Sequence, residues 1–182
     1  MKNRTDEQLM AAFGNGEQNA FSELYQRHKD PLYRYFVRQL EPSQNAHAEE
    51  LFQDVWFRVV DKRESYTPSA KFTTWLYRMA HNLIIDEYRK SMSEKAYCAQ
   101  IDNEVFSELH DPTEQNKGAI KHCMSLLAPL QREAFLLRYE SGFESAQICT
   151  IVDAKPEAIK TRLRYALDQL RQCLTRKLGG QE

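Results

Sequence analysis

The chain has 182 residues, with 25 basic and 26 acidic side chains, 42% apolar residues and 11% aromatics. That is ordinary globular composition, which excludes wholesale disorder; six Gly and six Pro exclude collagen-like or Pro-rich low complexity. No stretch approaches the roughly 18 apolar residues of a membrane span, and the opening MKNRTDEQLMAAF lacks the apolar run of a secretory signal. The expectation is a soluble, cytoplasmic protein of one domain or two small ones, without stable membrane insertion.

In chain order the pattern is helical nearly throughout. Thr5 followed by Gln8 predicts a capping box for a short helix to about Phe13, stopped by Gly14 and Gly16. From Asn19 to Leu40, Phe21, Leu24, Tyr25, His28, Leu32, Tyr35 and Phe36 recur at steps of three and four along one helical face. Pro31 lies inside that pattern and is expected to kink or divide it. Ala48, Leu51, Phe52, Val55, Trp56 and Val59 form the next stripe, from about Ala46 to Val60. Residues 61–71 are polar and contain Pro68, so they read as a loop. The pattern resumes from Phe72 to Tyr88 through Trp75, Leu76, Met79 and Leu83.

Residues 92–118 lose periodicity and carry a net charge of −4, whereas residues 1–91 are neutral and 119–178 carry +4. The stretch 92–118 reads as an acidic linker between two units, 1–91 and 119–182, with an irregular loop inside one domain as the alternative. Four shorter helical segments follow it, at about 119–127, 130–141, 145–152 and 156–176, with Pro129 and Gly142 separating the first three. The fold class expected is all-α: two small helical domains joined by a linker. Cys98, Cys123, Cys149 and Cys173 show no CxxC spacing, and adjacent His122 and Cys123 do not converge on one ion. They are expected to be reduced, mostly buried thiols, with no metal site.

The stretch from Glu144 to Leu170 has a helix-turn-helix rhythm. Ile148, Ile151 and Val152 make a short apolar face, Asp153-Ala154-Lys155 the turn, and Pro156 suits the first turn of a second helix. That helix carries Ile159, Leu163, Ala166, Leu167 and Leu170 on one side, and Glu157, Thr161, Arg164 and Tyr165 opposite, with Lys160 at the flank. Such a helix fits the major groove, with Arg able to pair bidentately with guanine. Lys160 and Arg162 suit phosphates, which position without specifying. A solvated polar face on a bundle helix fits the same spacing.

Opposite the apolar stripe of the 46–60 helix lie Glu50, Gln53, Asp54 and Phe57. An aromatic beside carboxylates on an outer face suggests a protein-binding surface that meets basic residues, although a single exposed Phe is common. The loop and the following helix interleave Lys62, Arg63, Ser65, Lys71, Thr73, Thr74, Arg78, Asn82 and Arg89 with Tyr66, Trp75 and Tyr77. Basic and aromatic surfaces suit unstacked bases. Trp75 falls on the apolar stripe and reads as core, which leaves Tyr66 as the stacking candidate. No phosphate-cradling Gly loop and no HExxH occurs, and no catalytic constellation or cofactor is expected.

The segments AEELFQDVWFRV (48–59) and FTTWLYRMAHNLIID (72–86) resemble region two of bacterial sigma factors, and LQREAFLLRY (130–139) with AIKTRL (158–163) resembles region four. A chain with only these two regions resembles the extracytoplasmic-function (ECF) group, over about residues 19–91 and 119–175. The resemblance implies a non-catalytic specificity subunit of RNA polymerase that recognises promoter DNA, duplex and single-stranded, and promotes its opening. It implies that Glu50, Gln53, Asp54 and Phe57 meet core polymerase at the β′ clamp helices, with further contact to the β subunit. It places Lys62, Arg63, Ser65, Tyr66, Lys71, Arg78 and Asn82 at the minus-ten element. Lys155, Glu157, Lys160, Thr161, Arg162, Arg164 and Tyr165 fall at the minus-thirty-five element. An anti-sigma factor is a further partner that the resemblance allows. Two departures stand out: Asp153 occupies a turn position where the family usually has Gly, and Pro156 comes one residue later than the usual proline. Asp tolerates a left-handed backbone better than most residues, so the turn is expected to survive. Two other readings fit the residues: a helix-turn-helix regulator acting without polymerase, and a helical adaptor or decoy that binds protein but no DNA.

Overall fold

Thr5 Oγ1 accepts a hydrogen bond from the Gln8 N–H at 3.3 Å, and the Gln8 side chain accepts from the Thr5 N–H at 3.0 Å. This is the expected capping box, and it opens the first helix. The computed structural model describes residues 4–40, 44–98 and 115–179, with no side-chain description at 45, 93–98 and 115–117. Among these residues eight α-helices follow in order, without a strand: α1 (Asp6–Gly14), α2 (Gln18–Gln39), α3 (Asn45–Asp61), α4 (Phe72–Cys98), α5 (Gln115–Ser125), α6 (Pro129–Phe135), α7 (Ser145–Val152) and α8 (Pro156–Leu178). A π-helical turn, Leu136–Glu140, continues α6.

Pro31 does not divide α2, which runs unbroken past it. Leu24 lies before the proline, and Leu32, Tyr35 and Phe36 after it; all four are buried. Burial on both sides of the proline holds the helix together despite the missing donor. Helix α1 ends where Gly14 meets the loop after α3. A Cβ there would lie 2.7 Å from the Arg63 carbonyl oxygen, so only glycine permits this approach.

Helices α1–α4 share one core, in which Leu9, Met10, Leu24, Leu32, Phe36, Val55, Phe72, Leu76 and Ile84 are sealed from solvent. Aromatics supply much of its volume: Trp56 packs edge-on against Phe21 and Tyr25 at 5.8 and 5.0 Å. The Phe72 N–H, an orphan donor at the start of α4, is taken by Glu7 Oε1 at 2.8 Å, which ties α1 to α4.

Helix α4 extends to Cys98, ten residues beyond the expected end, and α5 begins at Gln115. Both helices therefore reach into the stretch read as a linker, whose residues 99–114 lie outside the described ones. The reason is propensity: residues 89–98 contain Arg, Lys, Met, Glu and Ala without Gly or Pro.

The C-terminal helices divide their burial. Ile148, Ile151, Val152 and Ile159, with Leu137 and Phe143, join the N-terminal core through α4. Cys123, Leu127, Ala166 and Leu170 form a separate small cluster among α5, α6 and α8. That cluster corrects the cysteine expectation: Cys123 and Cys173 are joined in a disulfide that ties α5 to α8. Fifty residues separate them, and only the packing of the two helices brings their Cα atoms to 5.7 Å. Cys149 is free and partly buried.

Candidate functional site

Helix α3 buries Ala48, Leu51, Val55, Trp56 and Val59, which turns Glu50, Gln53, Asp54 and Phe57 outward. All four are exposed; Phe57 is 67% exposed, a large apolar ring on an acidic face. His47 fixes one edge of this face. Its Nε2 lies 2.7 Å from Glu87 Oε2 on α4, and its Nδ1 lies 3.1 Å from Glu50 Oε2. The bond to Glu87, followed by that to Glu50, raises the His47 pKa above its ordinary 6.5.

The loop from 62 to 71 follows, then α4. Arg78 and Asn82, four residues apart, share the exposed face of α4, and Lys71 is exposed at its start. Other loop residues are committed within the molecule. Arg63 donates to the Val60 carbonyl at 2.9 Å and lies over the Phe13 ring. The Ser65 hydroxyl donates to the Lys62 carbonyl at 3.1 Å. Tyr66 packs edge-on against Trp75 at 4.9 Å, and burial pushes its phenol up to about 12. Trp75 is partly buried against the core, in line with its place on the stripe.

In the helix-turn-helix, α7 is opened by a second capping box, between Glu144 and Gln147. Its end is Asp153 in the left-handed conformation, φ 48° and ψ 54°, the geometry anticipated for this turn. Lys155 then stands in extended backbone just before α8, with Pro156 in its first turn. Ile159, Ala166 and Leu170 are buried. Lys155, Glu157, Lys160, Thr161, Arg164 and Tyr165 are exposed, and Arg162 is partly so. The Arg164 guanidinium lies 5.2 Å above the Tyr165 ring, which pre-orders the arginine at the surface. Leu167, placed by periodicity on the inner side, is 36% exposed.

Sequence reasoning missed a buried polar group between the two halves. Glu133 on α6 is 1% exposed. Its Oε1 accepts from the Tyr35 hydroxyl at 2.6 Å and pairs with His81 Nδ1 at 2.7 Å, from α2 and α4. Beside it, Arg132 donates to the Gln39 carbonyl at 3.1 Å, capping the C-terminal end of α2. The partners lie 98, 52 and 93 residues apart, beyond any local pattern. One signal was present: Glu133 stands four residues before buried Leu137, on the apolar side of its helix.

Three comparisons bear on this geometry. Residues 24–94, which carry the α3 and α4 faces, match the family Sigma-70 region 2, and residues 117–170, which carry the helix-turn-helix, match Sigma-70, region 4. The ECF RNA polymerase sigma factor SigK of Mycobacterium sp. (strain KMS) is 28% identical over 173 residues, covering 91% of this chain and 89% of that protein. The chain belongs to the ECF group of the sigma-70 family. ECF sigma factor SigW of Bacillus subtilis (strain 168) is 27% identical over 173 residues, covering 87% of this chain and 91% of that protein. As an ECF sigma factor the chain acts in transcription initiation. The fold agrees: CnrH, solved with the cytosolic domain of CnrY, superposes with a TM-score of 0.70 at 19% identity, covering 93% of this chain and 96% of that one. RpoE from Bartonella quintana, solved with the anti-sigma factor NepR, gives 0.68 at 21%, covering 89% and 98%. Among the described residues no helix is long and apolar enough to cross a membrane.

Proposed function

We propose that this ECF sigma factor binds core RNA polymerase through α3, opens and captures the minus-ten element with the 62–71 loop and α4, and reads the minus-thirty-five element with α8. The carrying observation is the exposed set Lys160, Thr161, Arg164 and Tyr165 on α8, set up by the left-handed Asp153 turn. Arg164, held over Tyr165, suits bidentate pairing with a guanine edge. Lys155, Lys160 and Arg162 suit phosphates, and Glu157 can accept from a cytosine amine.

At the minus-ten element, Arg78, Asn82, Lys62 and Lys71 are free to meet an unpaired strand. Arg63, Ser65 and Tyr66 must first exchange the internal contacts described above. Promoter opening in this scheme uses no catalytic side chain: interactions made only with the unpaired strand offset unpairing and unstacking. Glu50, Gln53, Asp54 and Phe57 offer the β′ clamp helices an acidic rim around one aromatic anchor, the residue type that dominates interface energetics. The protein works in the cytoplasm, as a specificity subunit without activity of its own. An anti-sigma factor, such as the NepR solved with RpoE, fits as a further partner.

The test is run-off transcription from a randomised promoter library with core polymerase. The expected result is initiation at a shared two-part motif, absent without the protein. Failure to bind core polymerase would return the chain to the class of duplex-binding regulators. Core binding without initiation would favour a decoy.

A further inference from the structure

We infer that a cavity between α1, α2 and the start of the 62–71 loop receives one unpaired nucleobase of the promoter strand. The cavity measures about 410 Å³ and is lined by Phe13, Gly16, Gln18, Phe21, Val60 and Arg63. Among these, Arg63 is shared with the minus-ten surface proposed above. Phe13 and Phe21 form an aromatic wall, with ring centroids 4.9 Å apart. The Arg63 guanidinium stands over the Phe13 ring at 5.9 Å. Gly16 and Gln18 are exposed and form the mouth, which is open: a Cβ at Gly16 would meet nothing within 4 Å. The opposite side is tied in place by the close approach of Gly14 to the Arg63 carbonyl, which joins the end of α1 to the loop.

The lining selects the occupant. A cavity of this size suits a small planar group rather than a helix. Aromatic rings and a guanidinium stack against any base, because every base has a π-face. Arg63 donates to the Val60 carbonyl at 2.9 Å and to Glu64 at 3.2 Å, and its other N–H donors are unengaged among the described residues. The contacts that keep Arg63 from a strand on the outer face of the loop thus hold it at the cavity, with donors left for a base edge or a phosphate. At the mouth, the Gln18 amide offers a base edge both a donor and an acceptor. Charge agrees: exposed Lys62 adjoins Arg63, and neighbouring Glu17 is already paired with Arg4 at 2.9 Å. Position favours a base over a free nucleotide. The cavity lies beside the loop that the promoter reading sets on the unpaired strand, so a base of that strand arrives tethered, at high effective concentration. This role rests on that reading and adds a second point at which the strand is held open.

The test is binding of fork-junction DNA by core polymerase carrying this chain, on the motif recovered by run-off transcription. Each base of the unpaired strand is replaced in turn by an abasic sugar. Where a base is captured, the abasic DNA is expected to bind about 5- to 100-fold more weakly, the range that base–aromatic stacking spans. Gln18→Trp plugs the cavity from its exposed mouth and leaves the core side chains in place. It is expected to abolish the penalty at one position and spare the penalties at the others. Arg63→Gln is expected to reduce the penalty at that same position. Circular dichroism checks that each variant folds, and if the tryptophan variant does not, Arg63→Gln decides alone. Penalties that survive at every position overturn the cavity as a base site and leave the promoter reading standing. So does an equal fall at all positions, which would mark a displaced loop. Failure of the assembled polymerase to bind any fork overturns the promoter reading, and this site with it.

Discussion

The two halves of the molecule bury themselves by different means. The N-terminal half folds four helices around a broad core in which Phe36, Phe72, Leu24 and Ile84 are sealed, and in which tryptophan and tyrosine rings interlock. Among the described residues, the C-terminal half keeps Cys123, Leu127, Ala166 and Leu170 as a small buried cluster of its own, clips it with a disulfide, and lends α7 to the larger core. The difference shows how a small unit reaches order when its apolar surface falls short: it adds a covalent staple or borrows a neighbour. It also separates duties. The broad core holds the faces on α3 and α4, whereas the small unit carries α8 on its own cluster and staple.

Substitutions can break this contrast at either end. The largest effect is expected for Phe36→Ala, about 3–5 kcal/mol, because the ring is fully buried. Denaturant unfolding followed by tryptophan fluorescence measures it. Next comes the staple. In the oxidised chain, replacing Cys123 and Cys173 together by alanine should cost roughly 2–4 kcal/mol, given a closed loop of about fifty residues. The loss should register in hydrogen exchange of α5 and α8, with the amides of α1–α3 unchanged; equal loss throughout would dissolve the contrast.

Function sharpens it further. Arg164→Ala should lose about 1–3 kcal/mol of promoter binding, confined to the base it reads. Lys160→Ala should weaken matched and scrambled sequences alike and reduce the salt slope by about one. Equal losses on both sequences for Arg164→Ala would remove its base-reading role. Glu7→Gln should cost only about 1 kcal/mol, as the amide oxygen still accepts from Phe72.

The smallest effects follow pH. The Phe72 N–H lowers the Glu7 pKa below 4.5, and the His28 bond lowers that of Asp6 below 3.8. Their stabilisation is present above those unfolded values and is lost as pH falls through the lowered ones. His47 runs the other way. Its raised pKa stabilises fully below 6.5 and fades as pH climbs through the raised value. His47→Gln should therefore flatten the decline of thermal stability on the alkaline side of 6.5, and an unchanged slope would remove this link between α3 and α4.

Local grammar was readable in the sequence. The Thr5 capping box and the outward set on α3 follow from backbone needs and period alone, and the left-handed turn at Asp153 from the glycine usual there in the family the chain resembles. What escaped was set at long range. Tyr35 and His81 sit on stripes that read as core, and nothing nearby announces that a carboxylate from another helix will meet them. The disulfide likewise depends on how α5 lies along α8. Two differences were local: Pro31, expected to kink or divide α2, does not divide it, and the polar end of α4 lacks the stripe that marks a helix. Among the promoter candidates, the internal contacts of Arg63, Ser65 and Tyr66 were invisible to a reading that counts residue types.

The turn at Asp153 has a consequence for tolerance to change. The residue is exposed, yet its backbone stands at φ 48°, a region where most side chains are strained. In a saturation library this position should accept glycine and asparagine and reject valine and isoleucine. An open surface site would then show the narrow mutational profile usually associated with an interior one, because what is restricted there is the direction of the chain.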